Sequence, residues 1–259
     1  MNLIDACEVG NLEEVKRLVE EEGVDIHTFN DWPISEAARN GHLDVVKYLV
    51  EKGANIHAYN GALRYAIYRG HLHVIKYLVE NGANIHTDED WALRWAASSG
   101  HLGVVKYLVE QGADIHAGND DALKGATDNG HLEVVKYLVE QGADIHADDD
   151  YALKGAADNG YLEVVKYLVE QGANIHADDD YALRSAVDIG YIDVVKFLLE
   201  SGADVRKVDF ESLASKRKYQ EMLHLLLDVL SKEGLMPLLV SSNNRLRRAV
   251  KAYLRKGGR

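Results

Sequence analysis

The chain has 259 residues, 47% of them apolar and 27% charged, with 42 Asp and Glu against 29 Lys and Arg and a formal charge of −13. A lone cysteine, Cys7, excludes an internal disulfide, and no apolar run approaches the roughly 20 residues that span a bilayer. Met1 to Val9 show no basic-then-apolar leader, so the expectation is a folded chain inside the cell, in cytoplasm or nucleus, neither secreted nor membrane-bound.

Internal repetition governs everything after that. Gly41, Gly70, Gly100, Gly130, Gly160 and Gly190 each precede His or Tyr at a period of about 30, and Gly10 holds the equivalent place before Asn11. A fixed period of this size means a stack of small units, none able to bury its own apolar face alone.

In chain order, residues 1–23 supply an abbreviated first helix pair, with Asp5, Glu8, Glu13 and Glu14 suited to a wet outer face. The following units divide at approximately 1–30, 31–59, 60–89, 90–119, 120–149, 150–179, 180–208 and 209–234, about eight repeats counting the degenerate ends. The unit at 120–149 shows the plan. Asp120, matched by Asp31, Asn60, Asp90, Asp150 and Asp180, is of the type that caps a helix N-terminus. A short helix follows with Ala122, Leu123 and Ala126 on its apolar side, and it stops near Gly130. A second begins at His131, with Leu132, Val135, Leu138 and Val139 as its apolar stripe. Gly142 closes it, as Gly23, Gly53, Gly82, Gly112, Gly172 and Gly202 do elsewhere, and Ala143 to Asp149 form an exposed loop. The last recognisable unit runs from Leu213 to Gly234, with Met222, Leu223, Leu226 and Leu227 in register with Val194, Val195, Leu198 and Leu199.

Residues 235–259 form a chemically distinct tail. From Ser241 onward there are seven basic and no acidic residues, so the preceding 240 carry 22 basic against 42 acidic. Leu246, Ala249, Val250, Tyr253 and Leu254 follow helical spacing, predicting a basic amphipathic helix bearing Arg245, Arg247, Arg248, Lys251, Arg255 and Lys256. It suits covering the last repeat, or engaging nucleic acid or a second protein.

The recurring Ala-Leu-Arg, Gly-His-Leu-Glu-Val-Val-Lys-Tyr-Leu-Val-Glu and Gly-Ala-Asp-Ile segments resemble the ankyrin repeat over roughly residues 1–230. The units are shorter than that family's ~33 residues, and the missing residues fall in the loops between helix pairs. The family's Thr-Pro-Leu-His start appears as Trp32-Pro33-Ile34-Ser35 and, elsewhere, as Trp-Ala-Leu-Arg or Tyr-Ala-Leu-Lys. The uniform repeats with Asp-Ile-His-Ala loops are similar to those of ankyrin proteins encoded by giant, mimivirus-like DNA viruses. The resemblance implies an all-α helix-turn-helix solenoid, non-enzymatic, whose first helices and loop tips line a concave groove for a protein partner, a host-cell protein if the chain is viral. The second helices, carrying Lys106, Glu110, Lys136 and Glu140, would form the back.

No chemistry of a catalytic kind is legible: nucleophile elbow, P-loop, kinase and dinucleotide fingerprints are missing, and Cys7 reads as an inert buried thiol. The histidines repeat at the pitch of stacked helices, about 8–10 Å, too far apart to share one zinc, so the loop and turn imidazoles read as hydrogen-bonding scaffold. The loop acids lack the alternating spacing of a calcium site. No metal and no cofactor are expected.

In a stack, positions that change between units are free to read a partner. Here these are Trp32, Arg39, Arg64, Tyr65, Tyr68, Arg69, Trp91, Arg94 and Trp95 in the second to fourth units, and Asp121, Tyr151 and Tyr181 beyond. Aromatics mixed with Arg have the composition of binding hot spots, although such rings also fill space between units. Gly125 and Gly155, each costing about 1 kcal/mol in a helix interior, would leave room for a partner or for Tyr151 and Tyr181. The expectation is a monomeric protein-binding module. The alternative is an adaptor whose basic tail engages nucleic acid or a ubiquitin-ligase component while the repeats select the target.

Overall fold

The computed structural model describes residues 1–58, 61–86, 90–210, 213, 220–232 and 250. Asn60, Asp88 and Glu89 lie outside these, as do the basic residues Arg245, Arg247, Arg248, Lys251, Arg255 and Lys256 and the helix expected to carry them. The chain divides into two compact units, Met1–Ala143 and Asp144–Arg259.

In the first unit, helices alternate between two layers. The first helices are α1 (Leu3–Glu8), α3 (Thr28–Arg39), α5 (Gly61–Arg69), α7 (Trp91–Ser98) and α9 (Ala117–Asp128), each packed on the next. The second helices, α2 (Leu12–Glu20), α4 (Leu43–Glu51), α6 (Leu72–Glu80), α8 (Leu102–Glu110) and α10 (Leu132–Glu140), form the other layer, each paired with the first helix before it. The second unit repeats the plan with α11 (Ala147–Asp158), α12 (Leu162–Glu170), α13 (Ala177–Ile189) and α14 (Ile192–Glu200). A 3-10 turn at Val205–Lys207 and α15 (Gln220–Lys232) follow. Among the described residues there is no strand.

Each core lies between the layers. Leu63, Ile67, Leu93 and Leu123 of first helices and Leu49, Leu78, Leu108 and Leu138 of second helices are all fully buried. The second-helix stripe differs from the expected one: Val134, Val135 and Leu138 are buried, whereas Leu132 and Val139 are half-buried. In a helix pressed on two neighbours the stripe is broader than one row, and adjacent residues share it.

The loops depart furthest from expectation. Asp90 makes no cap bond to its own helix, and Asp31, Asp120, Asp150 and Asp180 sit at positive φ within a turn that opens at the preceding His, so the N-cap assignment is corrected. In place of the β-region geometry that a capping residue takes, the loop winds through three left-handed residues, such as Gly118, Asn119 and Asp120 at φ +62°, +60° and +62°. Asp148 to Asp150 and Asp178 to Asp180 do the same. Gly, Asn and Asp are the residues that tolerate this region, which explains the loop composition. One left-handed turn replaces a longer finger.

The third residue of each described turn is buried, 3–8% exposed, and the carboxylates of Asp31, Asp90, Asp150 and Asp180 each join two repeats. Asp31 Oδ1 accepts from His27 Nδ1 at 2.9 Å and from the Asn55 N–H of the next loop at 2.8 Å. Asp150 does the same with His146 at 3.0 Å and Asn174 N–H at 2.7 Å, and Asp180 with His176 at 3.0 Å and Asp204 N–H at 2.8 Å. The receiving Asn or Asp closes its own loop by accepting from the amide two residues on, as Asn174 does from His176 N–H. The loop histidines are scaffold, as expected, but they act through a buried acid.

The histidines opening the second helices serve a second column. His42, His71, His101 and His131 donate Nε2–H to the carbonyls of Glu8, Arg39, Tyr68 and Ser98, one repeat back, at 2.9–3.0 Å. A carbonyl only accepts, which fixes the proton on Nε2. In the repeat at residues 1–23, Asn11 stands at that position and caps its own helix, accepting from Glu14 N–H at 3.1 Å. The turn glycine receives the ring: a Cβ on Gly100, at φ +75°, would stand 2.5 Å from His131 Nδ1. On the outer layer, Lys47, Lys76 and Lys106 lie 5.7, 5.4 and 5.4 Å from the Tyr77, Tyr107 and Tyr137 rings of the next repeat. Even the solvent-facing part of Val-Lys-Tyr therefore joins neighbours.

Candidate functional site

The faces of α3, α5 and α7 gather most of the predicted site residues into two aromatic clusters. Trp32 and Tyr65, both half-buried, meet edge to face with centroids 5.6 Å apart. Tyr68 and Trp95, 51% and 42% exposed, meet at 5.9 Å. Arg64 reaches across α5 and α7, its guanidinium carbon 5.5 Å from the Trp91 ring and 6.0 Å from Trp95, while Arg69 lies 5.8 Å from Tyr68. The two tryptophans of α7 divide the work. Trp91 is 4% exposed and fills the space between repeats, so it supports the surface and is not itself available for contact.

The remaining arginines are neutralised locally. Arg39 pairs with the buried Glu36 at 3.1 Å. Arg94 pairs with Asp121 at 2.9 Å, and Lys124 approaches the same carboxylate at 2.8 Å. Burial alone would raise the Asp121 carboxyl, but the hydrogen bonds from Lys124 and Arg94 outweigh it and hold it below its ordinary value. Asp121 is therefore a partner of Arg94 in the fold before it is anything to a ligand.

Two clefts flank Trp95. One, of about 280 Å³, is lined by Arg94, Trp95, Ser98, Asp121 and Gly125. The other, of about 530 Å³, is lined by Tyr68, Arg69, Trp95, Ser98, Ser99, His101 and Asn129. Asn129 Nδ2 ties the rim together, donating to Ser98 Oγ at 3.1 Å and to the Gly125 carbonyl at 2.9 Å. Gly125 makes room for the neighbouring helix: a Cβ there would sit 3.2 Å from Ser98 Cβ, and its three nearest atoms would all belong to Ser98.

In the second unit Tyr151 is 38% exposed. Tyr181 is half-buried, and its hydroxyl donates to Asp158 at 3.1 Å, with Ser185 donating to the same carboxylate. Burial, reinforced by that carboxylate, raises the Tyr181 phenol. These residues make a polar, internally bonded face unlike that of the first unit. A cleft of about 640 Å³ on the loop side runs from His176, Asp179 and Asp180 to Arg206 and Lys207, where Lys207 pairs with Asp179 and Arg206 with Asp204.

Phe29 escaped the sequence reading. It is 79% exposed at φ +48°, where a bulky residue is disfavoured. Its signal was an aromatic at the place held by Gly118, Asp148 and Asp178. Cys7 is buried, and burial, with Glu36 adding to it, pushes the thiol up to about 12. Among the described residues no three His, Cys, Asp or Glu converge as metal ligands, and no helix is long and apolar enough to cross a membrane.

A model of the family described as "Ankyrin repeats (3 copies)" matches residues 3–60, 58–119, 86–149 and 123–209. Alpha-latrocrustotoxin-Lt1a of Latrodectus tredecimguttatus is 44% identical over 59 residues, 22% of this chain and 4% of that protein. Ankyrin repeat domain-containing protein 49 of Bos taurus is 41% identical over 59 residues, 22% of this chain and 25% of that protein. Ankyrin repeat and KH domain-containing protein 1 of Homo sapiens is 43% identical over 53 residues, 20% of this chain and 2% of that protein. The matches thus span a quarter or less of these relatives. Among solved structures, the human ASB11 ankyrin repeat domain superposes with a TM-score of 0.69 at 25% identity, over 79% of this chain and 99% of that one.

Proposed function

The chain belongs to the ankyrin-repeat family, and on that premise we propose that it is a non-enzymatic protein-interaction module that reads its partner with the exposed face of α3, α5 and α7. The observation that carries this is Tyr68 and Trp95 standing half in water beside two clefts, with Arg64 and Arg69 over aromatic rings. Rings of this size contribute large contact area, and ones already fixed on packed helices lose little entropy on association. Trp32, Tyr65, Arg39, Arg94 and Asp121 frame this face, and Trp91 supports it from below. Tyr151 and Tyr181 belong to a second, more polar face.

The test is capture of binding proteins from cell lysate by the intact chain, by a Tyr68→Ala, Trp95→Ala variant, and by a Glu110→Ala, Glu140→Ala variant on the second helices. Loss with the first and retention with the second is the expected pattern; the reverse transfers recognition to the other layer.

The adaptor reading is favoured by one observation, the seven basic and no acidic residues from Ser241 to Arg259 in a chain of charge −13. Deleting 241–259 distinguishes the two: unchanged partner recovery supports the first-helix face alone, and loss of nucleic-acid or ubiquitin-ligase recovery supports the adaptor. A monomer inside the cell fits a single, buried thiol. A viral source rests only on the uniformity of the repeats and their Asp-Ile-His-Ala loops.

A further inference from the structure

Building on the reading that the first-helix face binds a protein, we propose that the segment it recognises is acidic. An extended peptide would lay acidic side chains against Arg64 and Arg69 and set an apolar side chain two residues from one of them into the notch between Trp95 and Gly125.

The argument begins with charge. Four arginines lie on α3, α5 and α7, and two are spent within the fold, Arg39 on Glu36 and Arg94 on Asp121. Arg64 and Arg69 are exposed, and among the described residues neither meets a carboxylate; their contacts are the faces of Trp91, Trp95 and Tyr68. In a chain of net charge −13 with surface Glu and Asp at hand, these two arginines, held over rings, are the cations this face offers to an acidic partner. A guanidinium lying against an aromatic keeps its N–H edge free, and that edge matches a carboxylate with two parallel hydrogen bonds.

Shape supplies the second half. The Gly125 cleft, about 280 Å³, opens beside the Trp95 ring. Because Gly125 has no side chain, the cleft beside it is bounded by Ser98, the Trp95 ring and the mutually paired Arg94 and Asp121, and a compact apolar group would pack against the indole. The Arg69 cleft, about 530 Å³, lies on the other side of the same ring. In an extended peptide it is side chains two residues apart that share a face, about 6.5–7 Å from each other, so a carboxylate and an apolar group at such positions can lie on either side of one indole. A nucleic acid is the weaker candidate: a phosphate at every step would add dense negative charge to a −13 chain for only two available guanidinium groups.

The experiment titrates the full chain, following tryptophan fluorescence and anisotropy, with short labelled peptides in which Glu, Lys or phosphoserine stands two residues from Leu with Gly between them, so that both side chains share a face, and with oligothymidylate. Variants are Arg64→Gln with Arg69→Gln, Trp95→Ala, and the second-helix control Glu110→Ala with Glu140→Ala, each first checked for unchanged melting. The Glu–Leu peptide should bind best, weaken with salt, and lose about tenfold or more with the arginine pair and with Trp95→Ala. Tighter binding of the Lys–Leu peptide, the phosphopeptide or oligothymidylate overturns the inference, as does failure of all probes to bind. Glu–Leu binding that ignores the arginine pair but is lost with Trp95→Ala overturns the acidic assignment and leaves the first-helix face standing. Binding lost only in the second-helix control overturns both.

Discussion

Asp150 makes the sharpest test of how these repeats are joined. Its carboxylate is 4% exposed, and one oxygen accepts from both His146 Nδ1 at 3.0 Å and Asn174 N–H at 2.7 Å. Asp150→Ala removes both bonds and places alanine at φ +57°. Each hydrogen bond to a charged group contributes about 1.5–3 kcal/mol when buried, but the His146 side chain is 55% exposed and water replaces part of that contact. Adding about 1 kcal/mol for the left-handed backbone, we expect a loss of about 3–4 kcal/mol, or a fall in Tm of roughly 6–16 °C in a unit of this size. Asp150→Asn keeps an oxygen at the same place and tolerates the same φ, and Asn60 stands at that register in the second loop. It should therefore cost less than half as much. Urea unfolding followed by circular dichroism measures both, and hydrogen exchange at the Asn174 amide reports the bond directly. If Asp150→Ala stays within about 0.5 kcal/mol of the parent, or if Asp150→Asn is equally damaging, the carboxylate does not join the repeats.

Three further expectations follow from single contacts. Gly125→Ala gains about 1 kcal/mol of helix propensity but puts its methyl 3.2 Å from Ser98 Cβ; Tm should not rise in the parent and should rise in a Ser98→Gly background, so equal shifts in both would refute the crowding. Burial, with the cationic neighbours His73, Arg69 and His42 adding to it, lowers the His71 imidazole from its ordinary 6.5, outweighing the hydrogen bond to the Arg39 carbonyl. The unfolded chain then holds this proton more tightly, so stability rises with pH toward 6.5 and is lost as pH falls through the folded value; His71→Gln should flatten that slope in urea midpoints taken from about pH 5 to 7. Cys7, with its thiol pushed up to about 12, should be unreactive toward a disulfide reagent at pH 8 in the folded chain and titrate as one thiol in denaturant; rapid native labelling would contradict its burial.

The amino-acid sequence alone carried what is local. The period, the helix pairs and the left-handed closing glycines follow from side-chain spacing and backbone tolerance within one repeat, and Gly142 at φ +101° is where the pattern put it. Contacts one repeat away were beyond its reach. The third acid of each loop has the composition of a helix cap, and only its partner 24 residues on, the Asn174 amide for Asp150, shows that it joins repeats. Trp91 and Trp95 are one helical turn apart and alike in sequence, yet one is buried and the other exposed, because the volume left by the neighbouring helices decides burial. Propensity and periodicity act within a segment of chain, whereas burial, ion pairing and the choice of hydrogen-bond acceptor are settled by whichever distant segment comes to lie alongside.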